Sequence, residues 1–171
     1  MSSYVGVDLS TRFVDLVKLD EESDRAEWVR VPLVGENAID RARSYRDKVD
    51  FLGWSKRSDG TVQFHSEWWD DVILCALEDP AGRGDTRKIA RVQGVVIATI
   101  PSRVHVWTMA PSEWRKACGL PGNCSKHDVA RFAAARWQPI DAMRNVTQDA
   151  LDAWAIAYAA RAINQTQEEA A

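Results

Sequence analysis

No stretch of this 171-residue sequence is apolar for long enough to span a bilayer, and its start lacks the basic-then-apolar pattern of an export signal. Both absences point to a cytoplasmic protein (the host cytoplasm, if a virus encodes it) with no membrane partner. Cysteine is scarce, with only Cys75, Cys118 and Cys124. An odd count without an export signal argues against a disulfide framework. Cys118, Cys124 and His127 also make a poor zinc site. Their spacing fits no common zinc pattern and a fourth ligand is not evident, so small structural residues are the plainer reading. Internal repeats, low-complexity segments and signs of a second domain are lacking too. What remains is 46% hydrophobic and 27% charged. That suits one domain with a sizeable core, expected over residues 1–164, with a polar tail at 165–171 that should fray.

The stretch Tyr4-Val5-Gly6-Val7-Asp8-Leu9-Ser10 is a short apolar run that ends in a carboxylate. With Phe13 to Leu19 it reads as a β-hairpin, and Ala26 to Leu33 adds a third strand. An aspartate on a buried strand is costly unless it is paired or holds a metal, so Asp8 calls for a partner. Residues 36–54 carry Ala38, Ile39, Ala42, Tyr45, Val49 and Leu52 at helical spacing. Thr61 to Phe64 is a candidate extra strand, and Trp68 and Trp69 are core or contact aromatics. Val72 to Leu77 is continuously apolar, as in a strand buried on both faces, and it too ends in acids, Glu78 and Asp79. Asp85 or Thr86 can cap a helix to about Ile100, followed by a strand from Val104 to Met109 and a helix from Pro111 through Ala117. Ser125-x-x-Asp128 is a capping box for a helix to Trp137, and Thr147 caps a long helix from Gln148 to about Ile163. Strands that lead and then alternate with helices indicate an α/β domain with a mixed sheet.

Net charge is only −3, but it is segregated. Residues 81–137 hold ten Lys or Arg against three acids, a balance of +7 that leaves −10 for the rest. Such a field suits a polyanion-binding face, and solvated helix faces would give the same count. Asp149 and Asp152, three residues apart, project from one face of the last helix. Taken alone they fit the ordinary preference of acids for a first helical turn. Taken with Asp8 and Glu78 they form a set of four acids without evident basic partners, which would repel one another until a divalent cation relieved them. Hard oxygen ligands suit Mg²⁺ or Mn²⁺, and two such ions can activate water and stabilise the leaving oxygen in phosphodiester hydrolysis.

Val5-Gly6-Val7-Asp8, Leu77-Glu78 and Asp149-Ala150-Leu151-Asp152-Ala153 together resemble the catalytic signature of the RuvC-type Holliday junction resolvases, of the RNase H-like (retroviral integrase) superfamily. Ala90 to Val95 and the run from Ala110 to Val129, with Gly122-x-x-Ser125-Lys126-x-x-Val129, are similar to the same family. The resemblance spans most of residues 4–163 and is weakest over Tyr45 to Asp71. It implies an RNase H-like fold, a five-stranded mixed sheet with helices on both faces, and Asp8 lying beside Glu78. It implies a metal-dependent homodimeric endonuclease with Asp8, Glu78, Asp149 and Asp152 as catalytic metal ligands. The substrate would be four-way DNA junctions, cut during recombination and repair, in a bacterium or a bacterial virus. Lys126 and Arg115 match positions where the family carries basic residues near the scissile phosphate. The stretch Asp79-Pro80-Ala81-Gly82 lacks the aromatic that the family stacks on a junction base, and Asp79 is a rival to Glu78 that strand alternation turns the other way.

Arg83 lies in a Gly-flanked loop where backbone can approach phosphate, so it is a candidate DNA contact, with a plain surface arginine as the alternative. Arg87 and Lys116 are further candidates. The helix from Asp85 to Ile100 carries enough apolar residues for a core and for a self-complementary dimer face. Three other functions compete. The first is a nuclease of the same fold acting on three-way junctions, flaps or forks. The second is a non-catalytic DNA-binding relative. The third is an actin-like nucleotide-binding domain, whose first strand also reads Gly-x-Asp-x-Ser, although 171 residues supply neither its second copy nor its Gly-rich motifs.

Overall fold

The computed structural model describes residues 2–52, 54–56, 62–64, 67–80, 86–139 and 146–170. It opens with β1 (Ser3–Leu9), β2 (Phe13–Asp20), β3 (Arg25–Pro32) and α1 (Ala38–Leu52). Two short strands, β4 (Trp54–Lys56) and β5 (Val62–Phe64), and a single turn, α2 (Glu67–Asp70), lead to β6 (Val72–Glu78). Then come α3 (Thr86–Thr99), β7 (His105–Met109), α4 (Pro111–Ala117), α5 (Lys126–Ala134), β8 (Gln138–Pro139) and α6 (Gln148–Glu169).

The main sheet has the order β7-β6-β1-β2-β3-β8. β1, β2 and β3 form the expected antiparallel meander, and β6 and β7 add to its other side in parallel. Five strands of the expected mixed sheet are thus present, and β8 adds two residues beside β3. β4 and β5 pair only with each other. The turn expected at 57–60, the loop with Gly82, Arg83 and Gly84, and the capping position Asp85 lie outside the described residues.

Period-2 alternation divides the strands between two cores. Tyr4, Val17, Leu19, Ala26, Leu74 and Ala76 pack under α4, α5 and α6, with Trp114, Val129 and Trp154 from those helices. Val5, Val7, Val14, Leu16, Cys75 and Leu77 face the other way, onto Tyr45 of α1 and Val92 and Val96 of α3. Helices therefore cover both faces, which explains why Val72 to Leu77 is apolar without interruption. Among the described residues no helix is long and apolar enough to cross a membrane.

α6 is the central helix, buried almost continuously from Ala150 to Arg161. Small alanines let its backbone settle onto β1, and Gly6 is where the two meet. A Cβ on Gly6 would overlap the carbonyl oxygen of Ala153 and the amide nitrogen of Ala157. Further along, the buried Arg161 donates to the Asp20 and Ser23 carbonyls and to Asp24 Oδ1, tying the helix to the β2–β3 turn. The polar turn after Ile163, expected to fray, stays helical as far as Glu169. Asn164 there donates to Tyr4 Oη and Glu168 Oε1 (3.2 and 2.8 Å). Cys118 is buried with its thiol donating to the Ala155 carbonyl (3.3 Å), a packing role in keeping with the non-zinc reading.

The Gly6 contact predicts that Gly6→Ala lowers the unfolding free energy by about 3 kcal/mol, the upper end for overpacking against backbone that cannot yield. Urea denaturation followed by circular dichroism measures this. A wild-type midpoint would mean that α6 does not rest on β1 in this way.

Candidate active site

β1 and β6 run in parallel with Val7 opposite Leu77, so the next residues, Asp8 and Glu78, stand side by side. Both continue the alternation of Tyr4, Gly6, Leu74 and Ala76, and therefore face α6. Across the hairpin Asp8 is opposite Asp15. Thr147 caps α6 by accepting from the Ala150 amide, which sets Asp149 in the first turn and Asp152 one turn further, where its side chain is nearly buried. Four acids from three elements thus converge beyond the carboxyl ends of two parallel strands, a common place for sites in α/β sheets.

The convergence appears in the electrostatics. Burial holds the Asp8 carboxyl well above its ordinary range, and the charges of Asp152, Asp149 and Glu78 add to this while Lys126 opposes it. Burial also raises Glu78, with Asp152 adding to the effect and the Trp114 hydrogen bond, Arg115 and Lys126 working against it. Asp152 is raised by burial, against the pull of Lys126 and a hydrogen bond from Gln148. Lys126 titrates higher than usual: burial works against its charge, but Asp152, Asp8 and Asp149 outweigh it.

The expectation of four acids without basic partners is corrected for two of them. Lys126 Nζ lies 3.3 Å from Asp152 Oδ2, and Arg30 Nη2 lies 3.3 Å from Asp149 Oδ2. The counter-charges come from a packed helix in the case of Lys126 on α5 and from the neighbouring strand β3 in the case of Arg30, and they offset like charges that would otherwise cost stability. Neutral donors orient the rest. Trp114 Nε1 donates to Glu78 Oε2 (3.0 Å), and Gln148 Nε2 to Asp152 Oδ1 (2.8 Å). Asp8 accepts no hydrogen bond from any described residue. Asp79 leaves the strand, its amide donating to the Met109 carbonyl (2.8 Å).

Among the basic candidates, Lys126 is at the site and Arg115 is close enough to act on Glu78. Arg115 stacks on Trp114, and its buried Nε has no hydrogen-bond partner among the described residues. Lys116 and Arg87 are exposed on α4 and α3, and no ion pair joins either to the four acids. Arg83 lies outside the described residues.

Sequence reasoning missed Asp15 and Arg30. Asp15 is fully buried and receives Arg30 Nε and Nη2 (both 2.9 Å) and Trp28 Nε1 (2.7 Å). The available signal was hairpin register: once Leu9 pairs Val14, Asp15 must lie opposite Asp8, and Arg30 opposite Asp15.

The donors fit a hard divalent cation in kind: all are carboxylate oxygens, and Asp8 sits among like charges with no hydrogen-bond donor among the described residues. No three His, Cys, Asp or Glu side chains among the described residues already form a metal cluster. Asp152 has both oxygens engaged, Oδ1 by Gln148 and Oδ2 by Lys126, so its Lys126 contact would have to give way to an ion, whereas Asp149 is engaged through Oδ2 alone.

The chain matches no protein-family model and no curated protein sequence. Its fold is similar to that of the Thermus thermophilus RuvC structure, with a TM-score of 0.68 and 17% identity over 95% of each chain. It is equally similar to T. thermophilus RuvC in complex with a Holliday junction substrate, at 17% identity, over 98% of this chain and 97% of that one (TM-score 0.68). At that identity the likeness establishes the RuvC, RNase H-like fold.

Because the folded protein holds the Asp8 proton more tightly than the unfolded chain, metal-free stability should fall as pH rises from about 4 through the raised value. Asp8→Asn removes that cost. In EDTA at neutral pH its melting midpoint should exceed the wild type's, and the gap should close near pH 4. A variant that melts lower than wild type at neutral pH would contradict the like-charge field.

Proposed function

We propose that this chain is a divalent-metal-dependent endodeoxyribonuclease that cuts branched DNA, with four-way junctions as its main substrate. The observation that carries the reading is the gathering of Asp8, Glu78, Asp149 and Asp152 at one strand end, with Asp8 held above its ordinary range by burial and, in addition, by the charges of the other three. Mg²⁺ or Mn²⁺, two ions in a full site, would supply an activated water and stabilise the leaving oxygen.

The chain's own residues have distinct tasks. Asp8 and Glu78, fixed on adjacent strands, give the rigid half of the ligand set, with Trp114 orienting Glu78. Asp149 and Asp152 give the half carried by α6, with Gln148 orienting Asp152. Lys126 and Arg115 flank these acids on the basic segment and suit a scissile phosphate, which would replace their carboxylate neighbours as the counter-charge. Arg115 engages phosphate through a planar fork where lysine offers a point charge. Arg87 and Lys116, exposed on α3 and α4, are further candidate contacts for duplex arms, as is Arg83 on its sequence alone. A homodimer follows from the substrate, since paired cuts across a two-fold junction need two sites.

A second reading keeps the same chemistry with a wider substrate range that includes three-way junctions, flaps and forks. It is favoured by the missing aromatic in Asp79-Pro80-Ala81-Gly82.

A cleavage panel with Mg²⁺ or Mn²⁺ tests both. The four-way junction should be nicked faster than three-way junction, flap or linear duplex, and EDTA should stop all cutting. Asp8→Asn and Asp152→Asn should bind junctions and leave them intact. Equal cutting by those variants refutes the carboxylate mechanism. Flaps cut as fast as junctions select the second reading, and binding without cutting in any metal selects a non-catalytic DNA binder.

A further inference from the structure

The proposed hydrolysis leaves one charged group at the site without a task, the guanidinium of Arg30. It is held on every side. Asp15 grips it through a two-point fork, Nε to Oδ1 and Nη2 to Oδ2 (both 2.9 Å). Phe13 and Trp28 lie along its face, their ring centroids 4.5 and 5.6 Å from its central carbon. From that fixed position Nη2 also reaches Thr147 Oγ1 (2.7 Å) and Asp149 Oδ2 (3.3 Å). Thr147 is the cap of α6, so a single group references both the helix start and its first carboxylate to the sheet.

Stability alone does not account for the arrangement. Asp15 is fully buried and lies directly across from Asp8, a cross-strand pairing of like charges that is unfavourable. An apolar pair at 15 and 30 would fill the same space without burying an ion pair. The fork has a further property: Asp15 already balances Arg30, so the two together add no net charge to the carboxylate site. What they contribute there is position. Arg30 also touches only Oδ2 of Asp149, which leaves Oδ1 without a partner among the described residues.

We infer that Arg30, anchored by Asp15, is a positioning residue for Asp149, presetting that carboxylate and the first turn of α6 for a divalent cation. The inference rests on the metal-dependent reading of the site.

Calorimetric titration with Mn²⁺ alone tests it on the full chain. Asp15→Asn combined with Arg30→Gln removes the fork and conserves net charge. Loss of a group that orients a metal ligand typically weakens affinity about ten- to a hundredfold, and a tenfold rise in the Mn²⁺ dissociation constant is expected here. The same pair of changes made on Asp149→Asn should weaken binding no further, because the group being positioned is already gone. Unchanged affinity in the first variant, or an equal added loss on the Asp149→Asn background, overturns the inference. Wild-type protein that binds no Mn²⁺ refutes the metal-dependent reading instead, which keeps the two failures distinct. Should the double change prevent folding, Arg30→Lys keeps the charge and loses the fork. It should weaken binding in the same Asp149-dependent way, and undiminished affinity there also overturns the inference.

Discussion

Helix α6 reaches the strand ends only because Gly6 has no side chain. With the helix backbone resting on β1, the first turn of α6 falls beside Asp8, and the caps and alanines of that helix then determine where Asp149 and Asp152 stand. The part of the site contributed by helices depends on this close approach. α4 and α5 pack on α6, so Trp114 meets Glu78 and Lys126 meets Asp152 only if α6 lies at that depth. A helix held a few ångströms farther out would leave the two aspartates in solvent and the strand acids alone.

The cost of such a site is electrostatic. Asp8, Asp15, Glu78, Asp149 and Asp152 make five carboxylates in one region, against Arg30, Lys126 and Arg115 as nearby cations. The balance stays negative, and Asp8, which has no hydrogen-bond donor among the described residues, is held well above its ordinary range by burial with the neighbouring acids adding to it. A fold that needed only stability would have apolar residues at these positions. The surplus of negative charge at a strand end is therefore best explained by something that binds there.

Much of this was legible from local pattern. The meander, the buried run ending in Glu78, the Ser125–Asp128 capping box and the Thr147 cap each follow from a few adjacent residues, and all are present. The four acids were identifiable because each sits at an element end, where a carboxylate is conspicuous. The counter-charges were not, for two reasons. Pairing Lys126 with Asp152 requires knowing how α5 docks on α6, and no short-range periodicity encodes that. Asp15 and Arg30 could have been reached by counting registers through both hairpins, but an acid in a β-strand is ordinarily read as the solvent side of the alternation.

The two cations at the carboxylates differ in a way that bears on how the site could work. Arg30 is forked to a buried aspartate and flanked by aromatic rings, so moving it would leave the buried Asp15 charge with only the Trp28 indole as a donor, a large cost. Lys126 has a side chain two-thirds exposed, although its partner Asp152 is nearly buried. Its ammonium can therefore swing from Asp152 to a phosphate oxygen without leaving a buried cation behind, whereas Arg30 cannot leave its buried fork in that way. An acidic site with one fixed cation and one releasable cation keeps its carboxylates in order when empty and frees one of them when a phosphate arrives. In the proposed hydrolysis the Asp152–Lys126 pair would be a resting contact, released when a phosphate takes up Lys126.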